Sequence, residues 1–473
     1  MDKKIKTIAI VGSIISTIYI TIEYYRYRQF VKTKERLKNT ITPLSDNFDN
    51  EKWFSFFTEK IQLLQPEEFK LLIENIFWNA PLKYIEYFRI IDALLIMSLG
   101  CEKEDMSNKW SEKEIEKYKG RIEKILFTFF NKNRDLVNNS VIRNHILLPI
   151  YSKEVVQKLN KPFIRIHHSK IHNLEPTPIF FPLPLTMIFK TIRYYGNNKL
   201  YFHRFVPYTY HYGITFWIKK IATTNNMNIN INTNKKTKSL LFFHGMGIGV
   251  VPYLDFIIQL CSLTKNEYSH IILIEMPGIS WRNNFDVFPT MQQIANTIFT
   301  FMKMNMLETT YIDAIGHSYG TTILSYITNQ YPNFLHKKVY IDGIVFFPGI
   351  TKYYEFVFSR YTWKDILHTL MYGKPLIAIS QLLFSELYNK QIIHNICYMP
   401  EYCNNEKNLD ENTMIILGEK DIFVSSLTIE KYMKTYYPSV KTYLFKNNKH
   451  GDFLLNYPCH QQYLDIVSKH LQE

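Results

Sequence analysis

Three residues able to activate an oxygen nucleophile stand in a set order along the chain: Ser318, Asp421 and His450. Ser318 lies in Gly316-His317-Ser318-Tyr319-Gly320, which closes the apolar run Tyr311 to Ile315 and opens an amphipathic segment from Thr321 to about Thr328. Strand, sharp turn and helix form the setting of a nucleophile elbow, which would hold Ser318 at the tip of a strand and the start of a helix. The turn is tight enough that a Cβ on either flank would collide with neighbouring backbone, so Gly316 and Gly320 suit it. A serine hydroxyl is a poor nucleophile at its own pKa. A histidine must take its proton, and a carboxylate must fix the histidine tautomer and stabilise the imidazolium. Asp421 follows a β-type run, Met414 to Leu417, that ends in Gly418. His450 sits in the polar loop Lys446-Asn-Asn-Lys-His-Gly-Asp-Phe-Leu454, just ahead of a closing helix.

Acyl chemistry also needs donors for a developing oxyanion. A second apolar run, Leu240 to Phe243, ends in His244-Gly245-Met246-Gly247. Such a turn supplies one backbone N–H, from Met246 or Gly247, and Tyr319 after the nucleophile supplies the other. Gly245 and Gly247 let backbone come close to a substrate. A plain glycine-rich loop is the competing account, and the serine motif downstream argues against it.

These residues carry a resemblance: the chain from about 236 to 473 resembles an α/β-hydrolase-fold serine hydrolase of the esterase/lipase kind. Glu275-Met-Pro-Gly-Ile-Ser-Trp-Arg282 and Ile341-Asp-Gly-Ile-Val-Phe-Phe-Pro-Gly349 are similar to large fungal and protist members with a helical N-terminal extension. The resemblance implies a mostly parallel central sheet flanked by helices, the chain order nucleophile, acid, histidine, and a helical cap over the active site at about 351–408. It supplies a mechanism and no substrate. Relatives often have an acid-proline pair early in the sixth strand, where this chain has Asp342-Gly343. Asp342 is therefore the reserve acid; it is read as beginning a strand over Gly343–Phe347, and Asp421 is preferred.

The remaining elements follow from periodicity. Strands are expected at Leu240–Phe243, His270–Glu275 and Tyr311–Ile315, and helices near Val251–Leu263, Thr290–Met304 and Thr321–Thr328. Upstream, residues 45–222 form a helical and irregular extension. Pro66-Glu-Glu-Phe69 opens one helix, and the capping box Ser111-Glu-Lys-Glu114 opens another, with Ile115, Ile122, Leu126 and Phe129 on one face. The stretch from 150 to 222, rich in proline and aromatics, reads as irregular cover for the sheet with early edge strands. Thr223 to Lys238 is low-complexity and Asn-rich, a surface loop or disordered insertion. The cap carries Tyr353, Tyr354, Phe356, Phe358, Trp363, Leu367, Leu382 and Phe384, either as its own small core or as the lining of an acyl channel.

The chain has 473 residues, enough for a catalytic domain and roughly one more. Its net charge of +14 invites a nucleic-acid reading. Away from the N-terminus, however, no dense basic run appears, and a basic surface facing anionic lipid is the better reading. Five cysteines without C-x-x-C spacing argue for reduced thiols and against a zinc site. His167, His168 and His172 have no carboxylate or cysteine at ligand spacing nearby, so they read as solvent-facing and no metal is expected. No organic cofactor is implied.

Thr7 to Ile22 is an uncharged, largely apolar run of roughly 16 to 19 residues, short for a span but within reach of a thin endoplasmic-reticulum bilayer. Basic residues after it outnumber the lysines before it, which places the body in the cytosol behind a single-pass anchor in residues 1–40. A cleaved signal peptide and a mitochondrial anchor are the competing readings. The function expected is hydrolysis of a carboxylic ester, lipidic in kind, at a membrane surface. Acyl transfer or thioester cleavage on the same machinery, and an inert membrane-tethered scaffold, are the alternatives. Oligomeric state is left open.

Overall fold

The computed structural model describes residues 3–38, most of 51–133, then 178–221, 237–280, 289–346, 361–385 and 408–473, less a few short gaps. Eight strands form one sheet in the order β1-β2-β4-β3-β5-β6-β7-β8. They are β1 (Val206–Thr209), β2 (Thr215–Lys220), β3 (Thr237–Phe243), β4 (Tyr268–Glu275), β5 (Thr309–His317), β6 (Lys338–Ile341), β7 (Thr413–Gly418) and β8 (Lys441–Phe445). From β4 through β8 every neighbouring pair is parallel, while β1 on β2 and β2 on β4 are antiparallel.

A parallel sheet must be covered on both faces, so its strands read as nearly unbroken apolar runs. Alternation along each strand then sorts them into two cores. Leu241, Phe243, Ile272, Ile274, Ala314, Tyr340, Ile415 and Leu417 face one side. Leu240, Phe242, Ile271, Leu273, Ile315, Val339, Met414 and Ile416 face the other. The helices of the N-terminal region are α1 (Lys3–Lys38), α2 (Pro66–Ile76), α3 (Tyr87–Leu99), α4 (Glu112–Lys132) and α5 (Leu183–Phe202). In the sheet region follow α6 (Leu254–Leu263), α7 (Met291–Asn305), α8 (Tyr319–Gln330), α9 (Trp363–Met371), α10 (Pro375–Ser385), α11 (Ser426–Tyr436), α12 (Asp452–Leu455) and α13 (Tyr457–Gln472). α7, α8 and α11 cover the first face, and α2, α3 and α4 join the same apolar cluster. α6 and α13 cover the second. α4 begins as its sequence predicts: Ser111 accepts from the Glu114 amide and Glu114 returns a bond to the Ser111 amide.

Two expectations are corrected. The stretch 150–222, expected as irregular cover with early edge strands in a helical and irregular extension, holds in its described part the 20-residue α5 and the two strands at one end of the sheet. The prolines that suggested a loop stand at the start of α5, where a missing N–H costs nothing. Arg193 of α5 reaches the buried Glu275 carboxylate at the end of β4, at 3.2 Å. The sixth strand is Lys338–Ile341, not 343–347, so Asp342 follows a strand with φ 46°. Ile344, Val345 and Phe346 are buried all the same, an unbroken apolar run of the kind a buried strand shows.

The single-pass anchor at Thr7–Ile22 is not supported, because no helix among the described residues is long and apolar enough to cross a membrane. α1 runs through that segment, but its charged continuation is held by the protein itself. Glu23 accepts from the Leu183 amide, and Arg26 donates to Thr186 Oγ1 at 2.8 Å and to the Phe181 carbonyl at 3.2 Å. Tyr27 and Phe30 lie edge-on to Phe180. Residues 223–236, Tyr353, Tyr354, Phe356 and Phe358 lie outside the described residues, as do His167, His168 and His172.

Candidate active site

Ser318 joins β5 to α8 with φ 51° and ψ −119°, a conformation that a side-chain-bearing residue adopts only under constraint. Two close approaches impose it. A Cβ on Gly320 would lie 2.2 Å from the Phe243 carbonyl oxygen, and one on Gly316 would lie 2.9 Å from the Gly320 carbonyl oxygen. The Ser318 amide donates to the Ile341 carbonyl at 3.0 Å, which pins the elbow to β6.

Loops after β7 and β8 bring the other two residues to it. His450 Nε2 accepts from Ser318 Oγ at 2.9 Å, and His450 Nδ1–H donates to Asp421 Oδ2 at 2.7 Å. Asp421 is itself held: its Oδ1 accepts the amides of Phe423 at 2.7 Å and Val424 at 3.1 Å. Phe423 packs edge-on against the His450 ring. Burial by itself would push the His450 pKa down, but the Asp421 carboxylate, its hydrogen bond and the Asp342 charge outweigh that, and the pKa is raised.

A mostly parallel sheet in this strand order, with a serine elbow after β5, an aspartate after β7 and a histidine after β8, fixes the architecture. This is an α/β-hydrolase fold. No known family profile matches the chain, and no curated protein matches it. Among solved structures it is similar to a membrane phospholipase A described as a novel bacterial virulence factor, at 13% identity and a TM-score of 0.42 over 60% of this chain and 92% of that one. A peroxisomal alpha-beta-hydrolase from Saccharomyces cerevisiae matches at 14% identity and a TM-score of 0.38, over 55% and 81%. A meta-cleavage product hydrolase from Pseudomonas fluorescens IP01 matches at 14% and 0.39, over 55% and 95%. Likenesses this distant carry no substrate, and the fold assignment rests on strand order and elbow geometry.

The turn after β3 lies against the elbow: a Cβ on Gly245 would sit 3.0 Å from Ser318 Cβ. His244 is buried, its Nδ1–H donating to the Gly245 carbonyl at 2.6 Å and its Nε2 accepting the Met276 amide at 3.0 Å. It stays neutral because burial drives its pKa down to about 4. His244 therefore braces the turn and does not face substrate. The Gly247 amide donates to the Ile279 carbonyl at 3.2 Å, so of the two amides this turn could offer, Gly247's is engaged. The cap reaches this turn too. Leu383 of α10 has Cδ1 3.6 Å from where a Cβ on Gly247 would be. The Ile179 amide donates to the Ser385 carbonyl at 2.8 Å, and Trp363 packs on Phe181.

Asp342, the reserve acid, is fully buried beneath the triad, where its oxygens accept the amides of Gly418 at 3.1 Å and Gly451 at 2.8 Å. Ligand-capable atoms of Asp342, Asp421 and His450 lie within 4.8 Å of one another. The atoms of that group are already taken by the hydrogen bonds just given, which is the pattern of a proton-handling site and a poor one for a metal. Sequence reasoning missed Tyr253. Its hydroxyl accepts from the Gly245 amide at 2.8 Å and donates to His317 Nδ1 at 2.7 Å. Nothing in the residues around Tyr253 signals that contact, since it joins elements 64 residues apart.

Proposed function

We propose that the protein is a serine hydrolase cleaving carboxylic esters, lipid esters foremost, through an acyl-enzyme. The observation that supports this reading most is the unbroken line Ser318 Oγ, His450, Asp421 standing on a strained elbow. Ser318 Oγ attacks the acyl carbon as its proton passes to His450 Nε2, and Asp421 stabilises the imidazolium so formed. The oxyanion is received by the amides of Met246 and Tyr319, at the positive end of α8. His450 returns the proton to the leaving alcohol. Water, deprotonated by His450, then releases the acid and restores Ser318.

The lipid part of the reading leans on the cap. Leu367, Leu370 and Met371 of α9 are 54%, 51% and 86% exposed, a concentration of bare apolar side chains that suits an apolar ligand or surface. The test is covalent labelling with a fluorophosphonate probe. Wild type should label, and Ser318→Ala should not label at all. His450→Ala should slow labelling on the order of 10³-fold or more. Long-chain esters should then be hydrolysed in preference to short ones. A wild type that takes up no probe would sink the hydrolase reading and leave an inert scaffold as its successor.

A further inference from the structure

We infer that Asp342 is a positioning residue that holds the loops of the triad in register from below, a role that rests on the serine-hydrolase reading proposed above. Its carboxylate is fully buried and sits where four segments meet. Oδ1 accepts the Gly418 amide, at the end of the strand that leads to Asp421. Oδ2 accepts the Gly451 amide, one residue past His450. The same Oδ2 lies 3.8 Å from His317 Nε2, in the elbow beside Ser318. The fourth segment is the oxyanion turn. Tyr253 has one hydroxyl proton and gives it to His317 Nδ1 while its oxygen accepts the Gly245 amide. With that assignment the His317 proton is on Nε2, 3.8 Å from the Asp342 carboxylate and too far for a hydrogen bond. One carboxylate is thereby hydrogen-bonded to the acid loop and the histidine loop, and lies within 4 Å of the elbow histidine that contacts the Tyr253 hydroxyl under the turn carrying Met246.

Burying a carboxylate is costly unless hydrogen bonds and opposite charge compensate it. Burial works to raise the Asp342 pKa, but His317, His450 and the Gly451 amide outweigh it and hold the group ionised. A buried anion kept charged this way resists being swung out of place. Gly451 has φ 69°, so the backbone that delivers its amide to Asp342 also sets the exit of the chain from His450. Loss of one acceptor there would loosen the Nε2 aim on Ser318. Catalytic geometry is unforgiving at this scale, where a misplacement of about 1 Å costs on the order of 10²-fold.

The measurement is the rate of fluorophosphonate labelling as a function of probe concentration and pH, on wild type, Asp342→Asn and Ser318→Ala, with thermal unfolding of each. Asn matches the shape of Asp but carries no charge and can accept only one of the two amides. The groups facing His450 are Asp421 after β7, Asp342 after β6 and His317 at the end of β5. Removing the Asp342 charge is expected to slow the saturated labelling rate on the order of tenfold to 10²-fold, with half-saturating probe unchanged. It should also move the pH midpoint of labelling downward. A purely structural role would reduce the folded fraction but leave the rate constant and midpoint of the folded protein unaltered. Wild-type rate and midpoint in Asp342→Asn overturn the inference while the hydrolase reading stands; an unlabelled wild type overturns both. Should Asp342→Asn not fold, amide hydrogen exchange on wild type decides. The Gly418 and Gly451 amides should be protected, and exchange of Gly451 at the unprotected rate would refute the tether.

Discussion

His450 is under two opposed influences: burial favours the neutral ring, and two buried carboxylates favour the cation. The carboxylates win, so its pKa lies above the ordinary imidazole value near 6.5. A general base works only when unprotonated. Ester hydrolysis should therefore fall off as pH drops through a value above about 6.5, and the limb should be visible in a kcat/KM profile. Asp421→Asn removes the larger of the two electrostatic supports and the bond that fixes the tautomer. That variant should shift the limb to lower pH and lower kcat on the order of 10⁴-fold. An unshifted limb would mean that some group other than His450 governs the profile.

Single elements answer to local rules that can be tested one at a time. Gly320 is the second residue of α8, and a Cβ there would meet the Phe243 carbonyl at 2.2 Å, with backbone on both sides and nothing flexible to yield. Gly320→Ala is expected to give no natively folded protein by circular dichroism. At the other extreme, Ser111 caps α4 on an exposed surface. Ser111→Ala should lower unfolding free energy by about 1 kcal/mol and leave labelling by the probe unchanged. Loss of labelling would show that the N-terminal helices act on the site directly. Both positions were legible in the linear chain, because a G-x-S-x-G turn and an S-x-x-E box are contiguous. α5 was not: its opening prolines look like a loop unless the helix they start is also seen.

At the scale of the molecule, buried neutral histidines set an acid limit. Burial lowers the pKa of His244 to about 4 and also lowers those of His317 and His470. For groups depressed on folding, the stability is present above the unfolded pKa near 6.5 and is lost as pH falls toward the folded value. For His244 alone the loss between about 6.5 and 4 is on the order of 3 kcal/mol. The melting temperature should therefore drop over that interval. A flat profile would contradict the burial of these rings. On the first face of the sheet, α2, α3 and α4 share one apolar cluster with the strands, so the N-terminal helices and the sheet are joined through it.

The linear sequence determined the fold class and singled out Ser318, Asp421 and His450 as candidates, since each stands within a few positions of an apolar run that reads as a strand; the structure brings them into one hydrogen-bonded line. It also set the order in which these candidates follow one another along the chain. Only the tertiary structure decided what Asp342 does, because its partners Gly418 and Gly451 are 76 and 109 residues away. Tyr253 and the engagement of the Gly247 amide belong to the same class. The apolar run at Thr7–Ile22 looked like a span on composition, but Glu23 and Arg26 just beyond it find their partners on α5 and the residues before it. A residue's chemistry can be read from its neighbours in sequence. Its duty, when the partners are remote and buried, depends on which loops the sheet brings together.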